Sequence, residues 1–101
     1  MENRKNPYVI ELKTPVVFEG EEYKEIDLTG LENIRALDMI EVNRKLAREG
    51  NVDFLQENSM EYAFNIANRA SGIPIQFFEQ LKPGVAMQVK RCVTSFLFSQ
   101  E

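Results

Sequence analysis

Five glycines, at positions 20, 30, 50, 72 and 84, cut the chain into short segments, so nothing longer than a modest helix or a hairpin fits between them. Across those breaks the apolar pattern changes period once. Before Thr29 it alternates; after it, apolar residues recur at helical steps. Such a change predicts an α+β domain in which an N-terminal antiparallel β-hairpin packs against a bundle of three to four α-helices. At 101 residues the chain has enough material for one core, and we expect a single domain over 1–101, with a frayed N-terminus at 1–7, the hairpin at 8–28 and the helical part at 29–101.

In the hairpin, Tyr8, Ile10 and Leu12 share one face of a pleated strand. Pro15 cannot donate to a central ladder, so it marks a strand end, an edge or a bulge before Val16-Val17-Phe18 resumes the extended run. The turn falls at Gly20, and Ile26 and Leu28 are expected to point inward on the returning strand. Glu19, Glu21, Glu22, Glu25 and Asp27 against Lys24 make this hairpin strongly acidic. Two readings remain open: a charged edge that resists pairing with itself, and a docking surface for a basic partner.

Thr29-Gly30-Leu31-Glu32 has capping-box spacing, which predicts a helix over about 31–48. Its inward stripe would be Leu31, Ile34, Leu37, Ile40 and Leu46, with Met39 and Val42 beside it and Arg35, Asp38, Glu41, Arg44 and Lys45 facing water. Residues 51–58 read as a loop or a short helix. Asn58 or Ser59 can cap the next helix, where Met60, Ala63, Phe64, Ala67 and Ala70 recur at amphipathic spacing. Ser71-Gly72 ends it. Ile75, Phe77, Phe78 and Leu81 make a short apolar helix after Pro74, and Val85, Val89, Cys92, Val93 and Phe96 make the stripe of the last one.

Composition narrows the chemistry. Sixteen acidic and twelve basic residues give a net charge of −4, which argues against a nucleic-acid partner. With no histidine and one cysteine, imidazole–thiolate metal sites, Ser-His-Asp triads and an internal disulfide are excluded by counting. No apolar run approaches the roughly 20 residues of a membrane span, so the chain reads as a soluble protein of a reducing compartment. Carboxylate pairs such as Glu21-Glu22 or Asp38 with Glu41 fall on outward faces, where nothing would shift their proton affinity. Cys92 sits in an apolar stripe and is expected to be inert. No phosphate-cradling loop is present. We therefore expect no enzyme, no metal and no cofactor.

What remains unusual is large apolar residues beyond one stripe per helix. Phe96, Leu97 and Phe98 are consecutive, and a turn of about 100° per residue cannot aim all three at one core, so at least one is expected to be exposed. Either the chain end wraps its own domain or touches another copy, or the exposed residues form a partner surface.

The order of elements resembles the phage tail assembly chaperone family. The likeness rests on Ile10-Glu11-Leu12-Lys13-Thr14-Pro15-Val16, the Gly20 hairpin into Glu25-Ile26-Asp27-Leu28, and Ala36-Leu37-Asp38. It continues through Tyr62-Ala63-Phe64-Asn65-Ile66-Ala67, Ala70-Ser71-Gly72-Ile73-Pro74, Phe78-Glu79-Gln80-Leu81 and a final helix ending in Phe96-Leu97, about residues 8–98 in all. One departure is Lys82-Pro83-Gly84, where members commonly carry an acidic residue. The resemblance implies a non-enzymatic, cytoplasmic factor that coats the tape measure protein, helps recruit tail-tube subunits and leaves before the virion is complete. It also implies that a longer, frameshifted form can accompany the short one.

On that reading Phe77, Phe78, Phe96, Leu97 and Phe98, with Met87 nearby, would form or border a groove for amphipathic helices of the tape measure protein, and the same patch would drive self-association when empty. The alternatives are a small acidic regulatory or antitoxin-like interaction domain, a minor protein that stays in the particle, and a weak carboxylate metal site.

Overall fold

The computed structural model describes residues 6–50 and 60–99. Strand β1, Val9–Phe18, turns into β2, Glu21–Asp27, as a two-stranded antiparallel sheet. Among the described residues a 3-10 turn, Thr29–Asn33, then leads to four helices: α1, Ala36–Arg48; α2, Met60–Ser71; α3, Ile75–Glu79; and α4, Pro83–Ser99. The α+β class and the hairpin-plus-helices arrangement expected from the pattern are what the chain adopts. Residues 1–5 of the N-terminus expected to fray over 1–7, the segment 51–58 and the expected cap at Asn58 or Ser59 lie outside the described residues.

The hairpin reverses through Glu19 and Gly20, whose φ angles of 52° and 82° give the two-residue turn whose twist matches the strands. Pro15 is accommodated by an irregularity in register: Leu12, Lys13, Thr14 and Pro15 lie opposite Lys24 alone, between the pairs Glu11↔Glu25 and Val16↔Tyr23. The extra residues coil the hairpin. Tyr23 and Ile26, which strict alternation would put on opposite faces, therefore both turn toward the helices, with Ile26 and Leu28 fully buried.

Helix α2 is the hub. Its residues Tyr62 to Ala67 are all buried, Asn65 among them, so its middle is enclosed on more sides than the amphipathic stripe implied. Asn65 satisfies its amide inside the helix by donating from Nδ2 to the Glu61 carbonyl at 2.8 Å. Small residues let neighbours approach closely: Gly30, in the 3-10 turn, lies against the Ala70 backbone, and a Cβ there would run into the Ala70 carbonyl.

The expected capping box at Thr29 does not form, and the helix starts later than 31. The Thr29 hydroxyl and amide both donate backward to Asp27 Oδ1, at 2.7 and 3.0 Å, and hold the chain in a tight turn. Ile34 and Arg35 are extended, and α1 begins at Ala36, where the Arg35 amide donates to Asp38 Oδ2 at 2.8 Å. This break resets the phase of the helix. Val42 and Leu46 are buried and Met39 is half-buried, but Leu37 and Ile40, expected in the inward stripe, are 59% and 45% exposed. Asp38 and Glu41 instead join α1 to α2 at the surface, where Arg69 Nε donates to Asp38 Oδ1 at 2.9 Å and its Nη2 to Glu41 Oε1.

Donated hydrogen bonds hold two carboxyls below the ordinary 3.8. For Asp27 they come from the Thr29 hydroxyl and then its amide; for Asp38, from the Arg35 amide and then Arg69. A carboxyl with a lowered folded-state value contributes stability that is full above its unfolded value and is lost as pH falls through the folded one. Thermal melts should therefore show Tm flat above about pH 5 and falling below the ordinary 3.8, with a shallower fall in Asp38→Asn. Gly30→Ala should cost on the order of 2 kcal/mol, or roughly 10 °C in Tm, because backbone must move to admit the methyl group.

Candidate partner-binding surface

Six aromatic and aliphatic residues were expected to share one groove, and the structure separates them. Phe77 and Phe78 are completely buried, and Phe96 nearly so. The reason is the hairpin. A two-stranded sheet does not hold by itself in water and needs an apolar body beneath it. Phe77 supplies it, with its ring 5.8 Å from Phe18 and 4.6 Å from Tyr23; Phe78 is 5.4 Å from Phe77 and stacks on Phe64 of α2 at 5.7 Å. Phe96 meets Tyr8 edge to face at 5.7 Å, tying the far end of β1 to α4.

The other three stay at the surface. Phe98 is 63% exposed and Met87 42%, while Leu97 is half-buried against the core. Met87 and Phe98 are eleven positions apart on one continuous helix, about three turns, so they lie along the same face of α4. Consecutive aromatics at 96–98 thus resolve as the helical turn requires, with Phe96 inward and Phe98 outward. Leu37 and Ile40 on α1 are further exposed apolar residues, hidden from a periodicity argument by the misplaced start of α1. The signal that could have found them is Asp38 three residues after Arg35, an alternative cap.

None of the six lines the hollows beside β1. One, of about 470 Å³, lies between residues 7–11 and the Arg91, Cys92 and Ser95 side of α4. The next, about 510 Å³, continues it past Glu11 and Gln88, between the bulged stretch of β1 and the start of α4. Together they form a trough along the strand. Cys92 lies in its wall, half-buried, with Sγ 3.7 Å from the Pro7 carbonyl, and burial pushes its thiol up from the ordinary value, which leaves little thiolate to react. Among the described residues, no helix is long and apolar enough to cross a membrane.

The chain thus presents scattered exposed apolar side chains and an open trough on a fold whose order of elements is a hairpin followed by helices. No curated protein and no solved structure matches it. A family model described as "Phage tail assembly chaperone proteins, E, or 41 or 14" matches residues 9–97, from the first residue of β1 to two residues short of the end of α4. Because that match spans most of the chain, from the hairpin into the last described helix, the chain belongs to the phage tail assembly chaperone family.

Proposed function

We propose that this tail assembly chaperone works without catalysis in the host cytoplasm by binding the tape measure protein and helping to recruit tail-tube subunits, and that it leaves before the virion is finished. The observation that carries this reading is the pair of exposed apolar side chains on α4, Met87 and Phe98. Phe98 and Met87 present large, adaptable apolar area in line along one helix, with Leu97 beside Phe98. A tape measure protein is long and largely helical, and until the tube closes around it its apolar faces need cover. An amphipathic helix laid against α4 would bury both sets of side chains at once. In this reading Met87, Leu97 and Phe98 make the contact, while Phe96, Phe77 and Phe78 belong to the core that supports them. Many copies along one client would hold it by avidity even where each contact is weak.

The test is co-expression of the tape measure protein with tagged chaperone, followed by capture. Phe98→Asp should reduce the captured amount by about tenfold or more, as loss of an aromatic anchor does, with the circular dichroism spectrum unchanged. Equal capture by the folded variant would refute the site. Mass spectrometry of purified virions should find tail-tube and tape measure peptides and none from this chain; stoichiometric amounts in the particle would refute departure.

A further inference from the structure

The trough beside β1 differs in charge from the rest of the molecule. The chain carries −4 overall, yet the charged side chains along the trough are Lys13, Lys82 and Arg91 against Glu11 alone. Lys13 and Lys82 are exposed at its rim, and neither has an ion-pair partner among the described residues. Between them lie Leu12, Pro15, Leu81 and Val85, so the floor is apolar and the rim cationic. The complement sits on the same hairpin. Its tip carries Glu19, Glu21 and Glu22, all exposed and without a cation among them, next to Val17, which is 66% exposed.

We propose that two copies of this chain exchange hairpin tips, each acidic tip entering the other's trough so that Glu19, Glu21 and Glu22 meet Lys13 and Lys82. A second copy is favoured over another acidic protein because Lys13 lies in β1 and Glu19 in the turn that directly follows it, so a two-fold axis beside that strand can satisfy both contacts at once. An axis beside Val16 brings Lys13 of one copy toward Glu19 of the other, since each is three residues along the chain from that point. Side chains rather than a continuous ladder make the contact. Among the described residues nothing pairs with the second edge of β1, but Pro15 lacks an N–H and the bulge at Leu12–Pro15 spoils the regular spacing that strand addition needs. Met87, Leu97 and Phe98 do not line the trough, so this association does not depend on how the client is held.

Sedimentation velocity on the full chain tests it. The wild type should sediment as a dimer of the 11.7 kDa chain at about 50 mM salt, with a dissociation constant at least about tenfold weaker at about 500 mM, where the Debye length is near 4 Å. Lys13→Glu with Lys82→Glu should be monomeric, and so should Glu19→Lys with Glu21→Lys and Glu22→Lys. An equimolar mixture of the two should regain a dimer, because in the mixed pair both contacts again join opposite charges. Phe98→Asp should leave the dimer intact. A monomeric wild type at about 100 µM, a mixture that stays monomeric, an open series of larger masses, or a dimer lost with Phe98→Asp and kept with the charge reversals would each overturn the exchange.

Discussion

The structure depends on a short run of aromatic contacts through a helix of only five residues. Phe77 and Phe78 are adjacent in α3, so their side chains point in different directions, one to the hairpin through Phe18 and Tyr23, the other to α2 through Phe64. Aromatic pairs of this kind contribute about 0.5–1.5 kcal/mol each beyond the area they bury. More important is what they connect. Neither a two-stranded hairpin nor a one-turn helix is stable alone, and each becomes so only by sharing these rings with α2.

That arrangement explains why the aromatic residues of the second half divide between interior and surface. A chain of this size buries a limited fraction of its area, and its largest side chains are needed where three elements converge. Phe77, Phe78 and Phe96 are committed to that task. Phe98, Met87, Leu37, Ile40 and Val17 are left outside, distributed over α4, α1 and the hairpin rather than gathered in one patch. Dispersed apolar contacts of this kind are each weak and become strong only when many are engaged together.

Charge is distributed with similar economy. Asp38, Glu41 and Arg69 lock α1 to α2 at the surface, where the network fixes geometry more than it adds stability. Acidic side chains along β2 keep the sheet edge from open-ended pairing, and the bulge at Pro15 does the same for β1. The hairpin is thus exposed without being an invitation to aggregate.

Much of the fold was legible because it depends on local chemistry. Alternation and the Glu19-Gly20 turn determine a hairpin; Gly72, Pro74 and Pro83 divide the helices; and three consecutive large apolar residues at 96–98 force one of them outward whatever the fold. What local pattern could not decide was phase and depth. Thr29 has two possible partners, and whether its hydroxyl caps a helix or turns back to Asp27 depends on Gly30 packing against Ala70, forty residues away. From that choice follow the start of α1 and the exposure of Leu37 and Ile40. Likewise an apolar run on a short helix is the same in sequence whether it faces solvent or a sheet. Only the placement of the hairpin over α3 decided that Phe77 and Phe78 are core, because burial is settled by which surfaces meet and not by which residues could.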